Sequence, residues 1–435
     1  MDTFTHDFTI ARLGECDIRS PFTEPYPFVP DEHRVLFRHY LEDHDQFITA
    51  DGTPLSVEAA GPRKMIYFNP ADVHAAIVTC GGLCPGINDV IRSVVMELYY
   101  RYGVRKITGI RYGFQGLIPE YGHTPVELNP EIVKDIHSLG GSILSSSRGN
   151  QHIARVVDTI ERERINLFFC IGGDGTMKAA DLIADEIAGR NLAAAVIGIP
   201  KTIDNDLNLI DKTFGFDTAI SEVTKVIKCA HVEAKGAPCG IGLVKVMGRE
   251  SGFIAAWATL SHNDVNVALV PEVPFDMRGE KGFLHYLEQR LRRRQHAVIL
   301  VAEGAGQDLE GTRDVRETDA SGNVKLFDIG LYLKEEINRH FAATDMDINL
   351  KYIDPSYTIR SVPANAGDSS YCHLLGQYAA HAGMAGKTGM LVGLFNNEFV
   401  HFPLKAVTSR RKMDPGGSLW LRVLEATGQP ASMKN

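Results

Sequence analysis

From residue 73 onward, short runs of apolar, β-branched residues recur along the chain, separated by stretches that carry a helical apolar stripe. The runs are HAAIVT (74–79), INLFFCI (165–171), LAAAVIGI (192–199), CGIGLVKV (239–246) and HAVILVAE (296–303). They are continuous rather than alternating and have glycine near their ends, which predicts strands covered on both faces, as in a parallel sheet. After the first run, Val90, Ile91, Val94, Val95 and Leu98 fall on one helical face. Strand and helix alternate, which predicts a doubly wound α/β architecture. Residues 1 to about 70 are mixed, carry several prolines and lack a strong period, so they read as an extension packed on the surface.

Each of the five predicted strands ends in a polar or glycine-rich segment: CGGLCPG, GGDGT, PKTIDND, MGRESG and EGAG. In open α/β sheets, ligands bind outside the carboxyl ends of the strands. Loops that only connect elements would not need such chemistry at all five ends.

Composition narrows the class. The 435 residues are enough for two domains with extensions. Apolar residues make up 44% and charged residues 23%, as in soluble globular proteins. The net charge of −9 argues against a nucleic-acid partner or an anionic membrane surface. An acidic protein that binds phosphates must gather its Arg and Lys in the site. No window approaches the roughly 18 uninterrupted apolar residues of a membrane-spanning helix. The seven cysteines are odd in number, and Cys80 and Cys84 lack the spacing of a zinc or redox pair. Buried free thiols in a reducing compartment are expected. The N-terminus has neither the basic nor the apolar region of a secretory signal, so the cytoplasm is the default location.

The strand-end motifs carry the chemistry. Gly81-Gly82-Leu83-Cys84-Pro85-Gly86 lies between a strand and a helix, where glycine allows close approach to a phosphate and the helix start offers free N–H groups. A tight strand-to-helix turn explains it equally well. In Gly172-Gly173-Asp174-Gly175-Thr176, a carboxylate between glycines can hold Mg²⁺ while the backbone cradles phosphates. The structural alternative is a turn with Asp174 as helix cap. In Pro200-Lys201-Thr202-Ile203-Asp204-Asn205-Asp206, a carboxylate can take a proton from an attacking hydroxyl, and Lys201 can neutralise phosphate charge. An Asx-rich turn would need one such residue rather than three. In Met247-Gly248-Arg249-Glu250-Ser251-Gly252, Arg249 can bind a phosphate bidentately or stabilise the transferring group. Tyr357 and Arg360, with Lys351 nine residues before the arginine, suit a distant phosphate. Taken alone, a solvated basic strand would account for them.

These segments, in this order, resemble the phosphofructokinase family from about residue 60 to about 400. The stretch HAAIVTCGGLCPGINDVIRSVV, the segment KYIDPSYTIR and the N-terminal extension are most similar to the plant and trypanosomatid ATP-dependent branch, itself close to the pyrophosphate-dependent enzymes. The resemblance implies two doubly wound Rossmann-like αβα domains with the active site between them. It implies transfer of the ATP γ-phosphoryl group to the 1-hydroxyl of fructose 6-phosphate, with Mg²⁺, in glycolysis. By position, Asp204 resembles the base and Asp174 the Mg²⁺ ligand. Gly81, Gly82, Arg148, Gly149 and the loop Gly173, Asp174, Gly175, Thr176 resemble the nucleotide site. Thr202, Ile203, Met247, Gly248 and Glu303 resemble sugar contacts. Arg249 resembles the arginine bridging sugar phosphate and transition state, and Lys351, Tyr357 and Arg360 the 6-phosphate pocket. A homo-oligomer, tetramer or dimer, is implied. NAD and lipid kinases share the GGDGT motif but do not account for PKTIDND and MGR together. A non-catalytic regulatory subunit is the competing class, and the presence of Asp174, Asp204 and Arg249 argues against it.

The chain departs from the family's bacterial pattern. Bacterial ATP enzymes carry an arginine nine residues before that of MGR, reaching a neighbouring subunit's site; here the position is Gly240. Tyr357 stands where they have His, and Lys351 where they have Arg. The donor turns on Gly175, since glycine there goes with ATP and aspartate with pyrophosphate. Lys201 is the residue that pyrophosphate enzymes carry, and the plant-like branch combines the two. The expected organisation is an extension over 1–70, a nucleotide-binding domain over 71–215 completed by about 361–405, a sugar-phosphate domain over 216–360, and a C-terminal segment over 406–435. The 1–70 extension and the basic cluster Arg410-Arg411-Lys412 are candidates for effector or subunit contacts, with a solvated surface the favoured reading of the cluster.

Overall fold

The computed structural model describes residues 7–23, 25–40, 47–49, 52–149, 151–309, 325–407 and 409–435. Parts of the N-terminal extension and the last residue of the segment SSSRGN lie outside them. The chain divides into two compact units. Unit 1 comprises 1–202, 207–215 and 361–410; unit 2 comprises 203–206, 216–360 and 411–435.

Unit 1 holds a nine-stranded sheet. Its strands are β1 (Arg34–Leu36), β2 (Ser56–Ala59), β3 (His74–Thr79), β4 (Lys106–Ile110), β5 (Val126–Glu127), β6 (Leu167–Gly172), β7 (Ala195–Pro200) and two from the end of the unit. Four more strands, described with unit 2, are β8 (Gly240–Val246), β9 (Val267–Leu269), β10 (His296–Ala302) and β11 (Asn349–Ile353). The last two of unit 1 are β12 (Met390–Phe395) and β13 (Glu398–Pro403). The sheet order is β1-β2-β13-β12-β7-β6-β3-β4-β5. Its five central strands, β12-β7-β6-β3-β4, are parallel, and the flanking pairs are antiparallel.

Every residue of β3, β6 and β7 is buried, as continuous apolar runs require. One face, through Ala76, Val78, Phe168 and Cys170, packs on α2 (Ile153–Arg162) and α3 (Asp174–Gly189). Before these in the chain comes α1 (Ile87–Met96), whose Val90, Ile91, Val94 and Val95 are buried as the stripe predicts. It packs against the long helix Ala366–Met384, where a Cβ on Gly376 would lie 2.5 Å from that of Ser93. Phe8, Phe37, Leu55 and Val57 from the first 70 residues join the same core as β6 and β7. Beside them lies a buried ionic cluster. Glu58 accepts from Arg63 at 2.8 Å and meets His401 at 2.9 Å and Lys387.

Unit 2 is built on a four-stranded, wholly parallel sheet in the order β9-β10-β8-β11. Its helices are α4 (Phe216–Lys235), α5 (Phe253–His262), α6 (Phe283–Arg294), α7 (Ile329–Phe341) and the short α8 (Ser356–Ser361). Ile241, Leu243, Ile299 and Val301 pack with Leu284, Leu287, Leu333 and Ile337 in one core. Ordinary edge pairing at β9 is completed by a side chain from the C-terminal segment. Gln429 Oε1 accepts from Ala268 N–H at 2.7 Å, and its Nε2 donates to the Ala268 carbonyl at 3.1 Å. Among the described residues, no helix is long and apolar enough to cross a membrane. All seven cysteines are free thiols; five are buried, Cys16 is half-buried and Cys229 is exposed.

Candidate active site

In unit 1 the parallel strands, numbered in chain order, run 2-1-3-4-5 across the sheet. The connections reverse direction between β3 and β6, and such a reversal opens a crevice at the strand ends. Those two ends carry Gly81-Gly82 and Gly173-Asp174. Both following helices begin without a side-chain cap. Gly86 is the N-cap of α1 with φ +98°, and Gly173 is that of α3. At α3 this leaves first-turn N–H groups for an anion, whereas the first turn of α1 is buried.

Lys201 ties this end of unit 1 together. It is 5% exposed, its N–H donates to the Gly172 carbonyl at 2.9 Å and its Nζ to the Gly82 carbonyl at 2.6 Å. Gly81 has φ +84°, and its Cβ would stand 3.6 Å from Lys201 Nζ. The SSSRGN loop lies on the same turn. Gly81 N–H donates to the Ser147 carbonyl at 3.1 Å, and Ser146 Oγ donates to that of Gly81 at 2.6 Å. Arg148 in this loop is exposed, and Gly149 has φ +97°.

Asp174 is the first residue of α3 rather than its cap. Its Oδ2 accepts from Lys178 Nζ at 2.8 Å, one helical turn on, and faces Arg410 Nε at 3.9 Å. Its Oδ1 is buried and has no hydrogen-bond partner among the described residues. Gly172 cannot carry a side chain, since its Cβ would fall 2.1 Å from Thr176 Oγ1. At Gly175, by contrast, nothing lies within 4 Å of the Cβ position.

Unit 2 brings together the ends of β10, β8 and β11, which are neighbours in its sheet. Glu303 N–H donates to the Val246 carbonyl at 2.9 Å and Gly304 N–H to that of Gly248 at 3.1 Å. A Cβ on Gly304 would lie 1.8 Å from the Arg249 carbonyl oxygen, so glycine is required where the two loops meet. Burial pushes the Glu303 carboxyl above its ordinary range, and the charge of Arg249 opposes that shift. The loop 203–206 belongs to this unit. Ser251 Oγ, in the MGRESG loop, donates to the Asp204 carbonyl at 3.3 Å, and Asn205 adopts φ +53°.

The KYIDPSYTIR segment is not a basic strand throughout. Lys351 is exposed on β11, but Tyr357 and Arg360 lie on α8. Asp354 and Pro355 explain the change, because Asp354 Oδ1 accepts from Ser356 N–H at 3.0 Å and proline favours a helix start. The Arg360 guanidinium sits 4.9 Å from the centre of the Tyr357 ring, which is 75% exposed. Asp354 is held from the other side by Lys245, whose Nζ reaches Asp354 at 2.9 Å and Asp328 at 2.7 Å. At Gly240 a Cβ would fall 2.0 Å from the Ala234 carbonyl oxygen, so this position can present no arginine without parting α4 from β8.

The expected residues therefore fall into two groups. Unit 1 gathers Gly81, Gly82, Gly173, Asp174, Lys201 and the Arg148 loop; unit 2 gathers Asp204, Met247, Gly248, Arg249 and Glu303. Several partners were not singled out from sequence. Lys178 carries a signal there, four residues after Asp174. Arg410 and Arg411 carry none, and they are half-buried rather than solvated; only Lys412 of that cluster is exposed.

Comparison with known proteins bears on the family and the fold. The family model described as phosphofructokinase matches residues 74–383. The ATP-dependent 6-phosphofructokinase of Borreliella burgdorferi is 51% identical over 442 residues, covering 99% of this chain and 98% of its own. ATP-dependent 6-phosphofructokinase 7 of Arabidopsis thaliana is 49% identical over 374 residues, covering 86% and 76%. In fold, the chain is similar to the crystal structure of a pyrophosphate-dependent phosphofructokinase from Marinobacter aquaeolei, with a TM-score of 0.67 at 20% identity, covering 82% of this chain and 91% of that one. Strand-end motifs, sheet order and relatives lead to one assignment: the chain belongs to the phosphofructokinase family.

Proposed function

We propose that this chain is an ATP-dependent 6-phosphofructokinase, which transfers the γ-phosphoryl group of ATP to the 1-hydroxyl of fructose 6-phosphate. The products are fructose 1,6-bisphosphate and ADP. The observation that carries the choice of donor is the first turn of α3. Its N-cap glycine leaves N–H groups for phosphate, and Gly175 leaves open the space that a carboxylate would fill.

Asp174 suits Mg²⁺, since a buried carboxylate oxygen without a hydrogen-bond partner is a hard donor awaiting a hard cation. One carboxylate is enough when phosphates supply other oxygens, and no group of three or more His, Cys, Asp or Glu residues with metal-binding geometry occurs among the described residues. When bound there, the ion would neutralise charge on the phosphate oxygens.

The chain's own residues do the rest. Asp204 accepts the proton of the 1-hydroxyl as its oxygen attacks phosphorus. The bond from the γ-phosphorus to the bridging oxygen breaks, and its electron pair leaves with ADP. Lys201 and Arg249 supply fixed positive charge against the charge that develops. Gly81, Gly82, Arg148, Gly149 and Thr176 bind the nucleotide. Thr202, Ile203, Met247, Gly248 and Glu303 orient the sugar, and Lys351, Tyr357 and Arg360 receive its 6-phosphate. The enzyme works as a homo-oligomer in the cytoplasm.

The test is turnover of the purified chain with Mg²⁺, fructose 6-phosphate and either ATP or pyrophosphate. ATP should support turnover; activity with pyrophosphate alone would refute the donor, and Lys201 is the residue that makes this the alternative. Asp204→Ser should keep fructose 6-phosphate affinity and lose about 10²- to 10⁴-fold in kcat, the usual worth of a general base. A serine variant as active as the wild type removes Asp204 from that role.

A further inference from the structure

The segment 409–413 runs antiparallel to the loop that bears Asp204. Asn208 N–H donates to the Ser409 carbonyl at 3.2 Å, and Arg410 pairs with Leu207 in an antiparallel bridge. In unit 2, Arg411 N–H donates to the Asp206 carbonyl at 2.7 Å, and its Nη2 donates to that of Asn205 at 3.0 Å. With Ser251 on the Asp204 carbonyl, three successive carbonyls are held, two of them by Arg411.

The same guanidinium stands 4.8 Å from the centre of the Phe253 ring, at the start of α5 and directly after the MGRESG loop. Two residues on, Met413 N–H donates to Glu272 Oε1 at 2.9 Å, the oxygen that also accepts from Gly252 N–H at 2.9 Å. The segment is thus bonded to the loop of Asp204 and shares Glu272 as an acceptor with the loop of Arg249. Holding a carbonyl edge-on while stacking on a ring is work for a planar guanidinium, which an ammonium does poorly. Asn205 turns the chain through the left-handed region, which asparagine tolerates, and the bonds from Arg411 hold its own carbonyl and that of Asp206.

We propose that Arg411 is a positioning residue for phosphoryl transfer: it fixes the backbone of the loop 203–206 so that Asp204 meets the acceptor hydroxyl. The inference rests on the role given to Asp204 above.

The experiment is a double-mutant cycle on the full chain, read as kcat and KM with saturating Mg²⁺. Arg411→Ala should lower kcat about 100-fold, the cost of a misplacement near 1 Å, while both KM values stay within about threefold. Arg411→Lys should lose about tenfold in kcat, and guanidinium ion should restore part of the alanine variant's rate. Lys412→Ala, at an exposed position, should match the wild type. In the Asp204→Ser background the added loss from Arg411→Ala should shrink to less than about threefold, because the base it positions is gone. Equal losses in both backgrounds, or an Arg411→Ala variant with wild-type kcat, overturn the proposal. If the alanine variant does not fold, the lysine variant carries the same cycle and criterion. Turnover by the wild type reports on the function; the ratio of the two Arg411 effects reports on the positioning.

Discussion

Gly175→Asp separates folding from donor use. Gly175 is the second residue of α3, its φ lies outside the left-handed region, and a Cβ there meets nothing within 4 Å. An aspartate therefore fits without strain. It replaces the second-poorest helix former, worth a few tenths of a kcal/mol, and adds an acid in the first turn, worth about 0.3–1 kcal/mol against the helix dipole. Stability should be unchanged or raised by about 1 kcal/mol, a Tm shift of a few degrees at most. The same carboxylate faces incoming phosphate. Two like charges about 4 Å apart repel by roughly 4 kcal/mol at an effective dielectric of 20. Halving that for screening leaves a loss of about 30-fold in kcat/KM for ATP, at 1.4 kcal/mol per tenfold, against about 700-fold without screening. The assay pairs thermal denaturation with kcat/KM for ATP at saturating fructose 6-phosphate. A variant that melts at or above the wild-type temperature and uses ATP within about threefold of it would refute the reasoning.

Two further outcomes follow from packing and charge. Gly304→Ala should cost about 1–3 kcal/mol through overpacking, because the new Cβ would overlap the Arg249 carbonyl. A lower urea midpoint together with a raised KM for fructose 6-phosphate is expected, and an unchanged KM would detach Gly304 from the placement of Arg249. Burial holds His381 down at about 3 and His401 at about 4, both below the ordinary histidine range. Between those values and about 6.5 the unfolded chain binds more protons, so stability falls as pH drops, by about 1.4 kcal/mol per pH unit for each histidine. Urea midpoints at pH 7.5, 6.5 and 5.5 should be flat above pH 6.5 and fall below it. A flat profile down to pH 5.5 contradicts this, and His381→Gln should reduce the slope.

The sequence carried the parallel strands well. The run 74–79 coincides with β3, and the other four runs overlap β6, β7, β8 and β10 within a few residues. Strands covered on both faces must be apolar throughout, which leaves a plain mark. Strands β1 and β2 left none, being three and four residues long and joined through antiparallel pairing to a strand more than 300 residues later. The motifs that carry Asp174 and Asp204 were visible because glycine and paired carboxylates stand at strand ends. The partners were not. Arg411 acts through backbone carbonyls of residues some 200 positions away, and no local spacing records such a pairing. The six-residue helix under Tyr357 and Arg360 was hidden by its shortness.

The buried ionic cluster beside β2 has a consequence for how this chain can vary. Lys387 is 1% exposed, and its charge is tolerated because Glu58 and Asp31 reach it. Those two carboxylates lie before residue 74, and Lys387 and His401 lie after residue 383. The span that the family model matches is thus flanked by two segments joined by buried ion pairs. Losing the N-terminal segment would strand the buried Lys387 charge, at several kcal/mol, whereas Glu58 and Asp31 keep Arg63 as a partner without Lys387. A form of this chain without the N-terminal stretch would therefore need an uncharged residue in place of Lys387.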